Sequence, residues 1–392
     1  MSRDVLRQHA ADLAWSLWTE LGVAGVVRNH SATQIDLEPL LAVTPALGAD
    51  DPRLLEQVLS WCASNADRVN STRLSALVLA LPPSVRAGFE RFAATVNAVA
   101  GTKWPAAGEP WTPLPRLRSI PLPLERPALV RLRARALCGV STRADVLCDL
   151  ASRPAAWCSA AALAEHGHSK RNTARVLAEF EAARLVVRQA TGNVLRYRPS
   201  HPDAIATLLG GTPATCPDWI IVFQLILLLL DLSSSEGAPG PVRRVAANTT
   251  RDAVAEMADQ LWLDTPPATR GAPEAWEAME SWGTSQVSAL AGGTSPALGV
   301  AAVRGAELPG GSEAWVWLSD AAPGWERVAA VLRRPGDAAA GVVCAAATPT
   351  DDGWTAHQLI FSPPVTAPKL RAKVEHLVAP LKVGWRLVGP GR

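Results

Sequence analysis

The sequence predicts a protein that is mainly α-helical and has α+β parts. Apolar residues recur at helical spacing over most of the first 100 residues and again after about residue 214. A central segment changes from helical to alternating patterns, and short apolar runs after residue 312 are typical of strands. We expect a helical N-terminal domain (1–104), a Pro-rich linker (105–127), a central mixed domain (128–200), a helical region (214–292) and a small α+β region (293–392).

Length and composition indicate a folded chain. The 392 residues are 48% hydrophobic and 19% charged, which is enough apolar material for two or three domains with cores. The net charge of +2 does not by itself indicate nucleic-acid binding. The six cysteines are scattered without tight spacing, which is typical of a reducing cytosol, and the start of the chain does not resemble a signal peptide. We therefore expect a cytoplasmic protein.

In the N-terminal domain, helices are expected over residues 4–21 and 51–66. Asp51 is placed to cap the second of these helices, because its carboxylate can accept a hydrogen bond from a first-turn N–H. Ser71 or Thr72 is expected to cap a further helix, which stops at a pair of prolines. Seven prolines in the following segment exclude a helix or a central strand there. That segment is either a linker or an arm packed on a neighbouring surface.

The part of the chain after the central domain contains three expected helices, over residues 218–232, 249–263 and 274–290. The apolar run 219–230 is interrupted by Gln224 and is shorter than the about 20 residues that cross a bilayer. We expect no membrane span, and a helix that is buried in the core or in a dimer interface. The Gly- and Ala-rich segment that follows is expected to be a mobile loop until about residue 312, and a small sheet is expected beyond it.

The central segment has the most informative pattern. A helix with an interruption near Gly139 is followed by a short helix, a turn at Gly167 and His168, a second helix and two strand-like runs separated by "TGN". The expected ranges are 129–150, 159–165, 169–183, 185–190 and 194–198.

This order is that of a winged helix-turn-helix. Residues 141–198, "STRADVLCDLASRPAAWCSAAALAEHGHSKRNTARVLAEFEAARLVVRQATGNVLRYR", resemble the DNA-binding module of the arsenic-repressor and multiple-antibiotic-resistance regulator families. The resemblance covers 58 of 392 residues and is most specific in "SKRNTARVLAEFEAARLVVR". Arg184 departs from it, because these families often have glycine where the recognition helix ends. The resemblance implies a homodimeric transcriptional regulator that binds double-stranded DNA.

One face of the expected helix 169–183 carries side chains suited to DNA. Ala174, Leu177 and Phe180 lie three apart and predict the buried face, whereas basic and amide side chains fall on the opposite side. Arginine and asparagine can each make paired hydrogen bonds to base edges in a major groove. The alternative is the solvated face of an ordinary helix. The candidate DNA-binding residues are Ser169 as the N-cap, Lys170, Arg171, Asn172 and Arg175 on the helix, and Arg188 and Arg196 on the hairpin.

Charge is distributed unevenly along the chain. Residues 131–198 contain twelve basic and five acidic side chains, a net charge of +7, so the rest of the chain has a net charge of −5. A basic module in an otherwise acidic protein is the electrostatic signature of phosphate binding. Arg131 and Arg135 lie four apart on one face of the preceding helix. They either pack on the module or add phosphate contacts.

The sequence offers little support for metal binding or catalysis. His166, His168, Cys148 and Cys158 are close in sequence, but they lack the spacing of a metal site, so we expect no metal and no cofactor. There is no phosphate-binding loop, dinucleotide fingerprint or nucleophile elbow. We therefore expect a protein that is not an enzyme.

A second function class remains open. Winged helices also bind proteins, and a central winged helix with large flanks resembles an antitoxin-like or adaptor protein. Such a protein binds a partner, for example a nucleotidyltransferase toxin, through its flanking domains and also binds its own operator. A nucleotidyltransferase encoded by the neighbouring gene would favour this alternative.

Overall fold

The fold was analysed in a computed structural model and is mainly α-helical. The described part of the chain contains thirteen α-helices, a three-stranded sheet and a six-stranded sheet, which confirms the predicted class. The structure describes residues 3–152, 158–164, 167–191, 193–211, 216–261, 263–270, 272 and 274–298, and the strands of a C-terminal sheet between 302 and 385.

Five helices form the N-terminal part: α1 (Arg3–Glu20), α2 (Leu37–Leu47), α3 (Pro52–Asn65), α4 (Ser71–Ala80) and α5 (Pro83–Ala100). Asp51 caps α3 as predicted, since its side chain accepts a first-turn N–H at 3.1 Å. The cap of α4 was predicted at Ser71 or Thr72 but is Asn70, which accepts the backbone N–H of Arg73 at 3.1 Å. Asn70 has the extended backbone of an N-cap, whereas the two predicted residues are already helical.

The sequence did not predict α2 as a separate element. Nine of its eleven residues are buried, and Pro45 stands inside it. A helix that is buried on nearly all sides has no polar face to mark its period, so a one-sided pattern is missing. α5 begins at Pro83, a position where the missing N–H costs no hydrogen bond.

The Pro-rich segment 105–127 packs on the helices as an arm. Ile120 is buried, and its carbonyl accepts a hydrogen bond from Asn65 Nδ2 at 2.9 Å. The Trp111 ring meets the Phe92 ring edge-on, with 5.8 Å between the centroids. Of the two alternatives for this segment, the packed arm is therefore the one found.

A single hydrophobic core joins α1–α5 with α11 (Trp219–Ser234), α12 (Gly240–Gln260) and α13 (Ala275–Ala291). The sequence placed these helices in two separate segments, 1–104 and 214–292, because the central module lies between them in the chain. Buried His30 connects the two parts, with Nδ1 at 2.7 Å from Ser16 Oγ and Nε2 at 2.9 Å from the Leu290 carbonyl. We call the combined unit the helical domain.

The apolar helix α11 lies in the core of the helical domain, as predicted. Asp218 caps it by accepting the N–H groups of Ile220 and Ile221 at 3.1 and 3.2 Å. α12 begins at Gly240, earlier than the expected residue 249. Within the described part of the chain, no helix combines the length and the apolar character that crossing a membrane requires.

The central module consists of the described residues between 130 and 211 and has a second hydrophobic core. Its elements are α6 (Val130–Cys138), α7 (Thr142–Ala151), β1 (Cys158–Ser159), α8 (Ala160–Ala164), α9 (Lys170–Ala182), β2 (Val186–Thr191), β3 (Val194–Pro199) and α10 (Pro202–Leu208). The strands form an antiparallel sheet in the order β1-β3-β2. The short helix, the second helix and the hairpin were predicted in this order. The expected helix 129–150 is divided into α6 and α7, and β1 and α10 were not predicted. Ile205 of α10 is part of the core.

The C-terminal sheet has six strands in the order β4-β5-β6-β7-β8-β9. They are β4 (Ala302–Leu308), β5 (Ser312–Ala322), β6 (Trp325–Arg333), β7 (Gly341–Thr350), β8 (Gly353–Ser362) and β9 (Val383–Trp385), antiparallel except for the β8–β9 pair. The four apolar runs predicted as strands match β5–β8. The mobile loop expected before residue 312 is wrong in part, because β4 pairs with β5 along its whole length.

Candidate nucleic-acid interface

The N-terminus of α9 has the predicted cap. Ser169 has an extended backbone, and its Oγ accepts the N–H of Asn172 at 3.2 Å. Gly167 forms the turn before it with a φ of +90°, a conformation that glycine adopts without steric cost. The cap and this glycine give α9 a defined start after α8.

One face of α9 packs in the core and the other faces solvent. The buried residues are Thr173, Val176, Leu177 and Phe180. Ala174, which was predicted on the buried face, is only half-buried, because the buried stripe is centred on Val176 and Leu177. The remaining predicted core positions are confirmed, and the opposite face is left for an external contact.

Lys170 and Arg171 are exposed in the first turn of α9. Within the described residues, neither side chain forms an ion pair. They stand at the helix N-terminus, where the backbone N–H groups also carry partial positive charge. Both cations are therefore available to an external anion or to base edges.

Asn172 is engaged within the module instead. Its Nδ2 donates to Thr142 Oγ1 at 2.7 Å, and its Oδ1 accepts from Arg175 Nη2 at 2.9 Å. The side-chain amide is half-buried and uses both of its polar atoms. In this conformation, its contacts hold α9 against the start of α7.

Arg175 takes part in an exposed ion pair. Its Nη1 lies 2.5 Å from Glu179 Oε1, and Arg143 Nη2 lies 2.5 Å from Glu179 Oε2. The hydrogen bond from Arg143 and the charge of Arg175 lower the pKa of Glu179. The Arg175 side chain is 62% exposed, so this pair is weak and open to competition from a phosphate.

The sequence did not identify Thr142 and Arg143 as contacts of this helix. The expected helix 129–150 ran through them, whereas the structure breaks it after Cys138 and starts α7 at Thr142. The signal was present in Ser141, which is the N-cap residue that follows the predicted interruption. A helix start predicted at Ser141 would have placed Thr142 and Arg143 in the first turn of a separate helix.

Arg184, which departs from the resembled families, lies at the C-terminal end of α9. This residue has a φ of 59°, in the left-handed region where the resembled families often have glycine. Its N–H bonds to the Glu181 carbonyl, and the Leu185 N–H bonds to the Phe180 carbonyl, both at 2.9 Å. These two bonds form a Schellman motif, so the helix ends in the ordinary way but with arginine in the strained position.

The two candidate arginines of the hairpin lie on opposite faces. Arg188 is paired in register with buried Tyr197 and therefore lies on the face towards α9, where its Nε is 3.0 Å from Glu181 Oε1. Arg196 is paired with Gln189 and lies on the other face. Only one of the two can share a surface with α9 without rearrangement of the hairpin.

α9 and the hairpin together carry a net positive charge. Residues 169–199 contain seven basic and two acidic residues, a net charge of +5. Arg131 and Arg135 do not add to it, because they are 3% and 1% exposed. Arg135 lies 2.6 Å from Glu38 and 2.9 Å from Asp145, so both arginines pack on buried carboxylates rather than face solvent.

The structure offers no support for a metal site in its described part. Among those residues, no group of three or more histidine, cysteine, aspartate or glutamate side chains is placed to hold an ion. Cys148 and Cys158 are buried thiols, and His168 contacts Asp145. His166 lies outside the described residues.

Comparisons of the chain with protein-family models, with curated proteins and with solved structures find no match.

Proposed function

We propose that the central module is a winged helix-turn-helix and that the protein is a DNA-binding transcriptional regulator. The observation that carries this proposal is the pair Lys170 and Arg171. Both are exposed and without an ion pair in the described structure, on a helix whose opposite face is packed in the core. The order of helices, the sheet order β1-β3-β2 and the charge of +5 over residues 169–199 support it.

In this proposal the residues of α9 have different roles. Arg171 reads a base edge in the major groove, and Lys170 contacts a phosphate. Arg175 leaves Glu179 to contact DNA, which costs little because exposed ion pairs contribute about 0–1 kcal/mol. Arg188 is the hairpin residue that lies towards the same surface. Ser169 acts through the capped first turn.

Oligomeric state belongs to the same proposal. We propose a homodimer, because two modules related by a twofold axis bind two half-sites separated by about 34–36 Å. The stoichiometry of protein to duplex in a titration at high concentration would test this: two chains per duplex are expected, and one chain would exclude the dimer.

The direct test is a fluorescence-anisotropy titration of the full chain with duplex DNA selected from a random pool. If about five phosphates are contacted, log Kd should change with log salt concentration with a slope of about 4 to 5. Absence of binding at low salt would contradict the proposal. Binding with the same affinity to every sequence would leave phosphate contact but exclude an operator-specific regulator.

The second candidate function is binding of a protein partner, as in an antitoxin-like or adaptor protein. The observation in its favour concerns the central module and not the flanking domains: at the hairpin end, Val194 and Leu195 are 48% and 44% exposed. Exposed apolar residues close together often mark contact with another protein. We propose that Val194→Asp would weaken such a complex, for example with a neighbouring nucleotidyltransferase, in a pairwise binding titration. Unchanged affinity would exclude the hairpin end as the contact.

A further inference from the structure

We infer that Thr142 and Asn172 are positioning residues, and that the helical domain controls DNA binding by setting the position of α9 through them. The connection runs through His168 and a buried cluster of charges at the junction of the two units. This inference rests on the proposed function, because it names how the same DNA-binding site is regulated.

The interdomain ion cluster contains three arginines and four carboxylates. Asp36, Glu38 and Arg73 come from the helical domain, and the other four come from the central module. Their side chains are at most 8% exposed. The members from the central module are Arg131, Arg135, Asp145 and Asp149.

Arg135 is the member that joins the two units most directly. Its Nη1 and Nη2 lie 2.6 and 2.8 Å from the two Glu38 oxygens, and Nη2 also lies 2.9 Å from Asp145 Oδ1. Arg73 contacts Asp36 and lies 2.7 Å from Glu38. Loss of one partner in such a site leaves a buried charge uncompensated, so the cluster resists rearrangement of the two units.

Asp145 connects the cluster to α9. Burial alone would raise the pKa of Asp145, but Arg135, His168 and Arg131 hold this pKa well below its usual range. Asp145 Oδ2 lies 3.3 Å from His168 Nε2, and His168 Nδ1 lies 3.4 Å from Thr142 Oγ1. Thr142 Oγ1 in turn accepts from Asn172 Nδ2 at 2.7 Å.

These contacts are mutually consistent as donors and acceptors. The Thr142 hydroxyl has one hydrogen to donate, and His168 Nδ1 lies within reach of it at 3.4 Å. The hydroxyl oxygen then accepts from Asn172, whose own oxygen accepts from Arg175. Polar contacts therefore connect the exposed face of α9 to the interdomain ion cluster, and the 3.3 Å contact between His168 Nε2 and Asp145 Oδ2 is the last of them.

A second contact joins the same parts independently of these hydrogen bonds. The turn before α9 packs on the helical domain at Gly167, where a Cβ atom would lie 3.1 Å from Cγ of Arg73. Arg73 is itself a member of the interdomain ion cluster. The side chain that pairs with Asp36 and Glu38 therefore also supports the turn from which α9 starts. A change of the helical domain at these carboxylates would move or loosen the first turn of α9, next to Arg171.

The experiment uses the full chain and two variants on the path, Glu38→Gln and Thr142→Val. Amide hydrogen exchange in the first two turns of α9 is measured without DNA, and Kd is measured with the selected duplex. Each variant should raise the amide exchange rate in the first two turns of α9 and should raise Kd, each by at least about threefold. Combined, they should weaken binding by less than the product of the two effects, because both act through the same contacts.

The matched controls are Ser152→Ala and Thr142→Ser. Ser152 Oγ donates to Gln34 Oε1 at 2.8 Å, so its loss breaks a buried contact between the two units that lies off this path. Exchange in α9 and Kd should stay at wild-type values. Thr142→Ser keeps the hydroxyl and should also behave like wild type.

The outcomes separate this inference from the proposed function. If Thr142→Val is folded, as judged by circular dichroism, and retains wild-type exchange and Kd, the inference is wrong, whether or not Glu38→Gln folds. An equal effect of Ser152→Ala would also overturn it, since any loosening of the junction would then suffice. If wild type binds no DNA but exchange in α9 responds as expected, the proposed function fails while the control of α9 by the helical domain stands.

Discussion

Arg171 is the residue on which the proposed DNA contact depends most. Arg171→Ala should leave stability within about ±0.5 kcal/mol of wild type, because the side chain is exposed. If it reads a base, the same change should weaken binding by about 1–3 kcal/mol and relax specificity at one position. Melting curves and binding isotherms on the selected duplex measure both effects.

Phe180→Ala is the contrasting control on the opposite face of α9. Phe180 is 5% exposed, and its loss should destabilise the fold by about 3–5 kcal/mol. Its effect on DNA binding should follow unfolding alone. Wild-type binding by Arg171→Ala would contradict the assignment and favour a protein partner for the hairpin and α9.

Arg184 allows a test that does not depend on function. Because an L-residue in the left-handed region is strained by about 1–2 kcal/mol, Arg184→Gly should relieve part of this and stabilise the protein by up to about 1 kcal/mol. Denaturant unfolding measures the change. Arg184→Ala is the control, since alanine retains the Cβ atom and should give no comparable gain. Destabilisation by glycine would show that the arginine side chain makes a more important contribution than the backbone strain.

At the scale of elements, His30 joins α1 to the end of α13. Its burial lowers its pKa to about 4, against a backbone hydrogen bond to Leu290 and the charge of Glu20, which act to raise it. The neutral ring donates from Nε2 to the Leu290 carbonyl and accepts from Ser16 at Nδ1. Protonation of this ring would therefore oppose the junction of the two helices.

Stability should consequently fall as the pH is lowered from 6.5 to 4. The unfolded chain takes up a proton at this histidine near pH 6.5, and the folded chain does so only near pH 4. The free energy of unfolding should therefore be unaffected by His30 above pH 6.5 and should decrease by up to about 3 kcal/mol as the pH falls to 4. Urea unfolding at a series of pH values measures this slope. His30→Gln should flatten the curve in this range, and the exposed His201→Gln should not. A slope that persists in His30→Gln would assign it to another group.

The interdomain ion cluster makes the junction of the helical domain and the central module sensitive to stronger acid. Burial acts to raise the pKa of Asp36, but Arg73 and Arg131 hold it below its usual range, and the pKa of Asp145 is also lowered. Groups with depressed folded pKa values contribute stability above their unfolded pKa of about 3.9, and this contribution is lost as the pH falls below it. The protein should therefore lose further stability below about pH 4.

The His30→Gln variant separates this decrease from the one at higher pH. In that variant, urea unfolding should give nearly constant stability from pH 6.5 to about 4.5 and a decrease at lower pH. Adding Asp36→Asn should reduce this decrease, because one of the two carboxyls of the cluster with a lowered pKa is then absent. Constant stability down to pH 3 would contradict the contribution of the cluster.

Much of the fold follows from local pattern in the sequence. The caps at Asp51 and Ser169, the buried face of α9 around Leu177 and Phe180, and the hairpin closed by "TGN" depend on neighbours within a few positions. Such features are visible in the sequence because helix and strand periods, and the side chains that satisfy free N–H groups, act over one or two turns. α2 was missed for the complementary reason, since a helix buried by distant partners shows no polar face.

Local pattern alone predicted the mainly α class, the order of α8, α9 and the hairpin in the central module, and the candidate face of α9. Which basic residues are available on a surface depends on contacts between distant parts of the chain. Arg131, Arg135 and Arg171 were all candidates for contact with DNA in the sequence, yet the first two are buried and the third is exposed. The physical reason is that an arginine is buried only where carboxylates compensate its charge, and Arg135 finds one of its own in Glu38, 97 positions away along the chain.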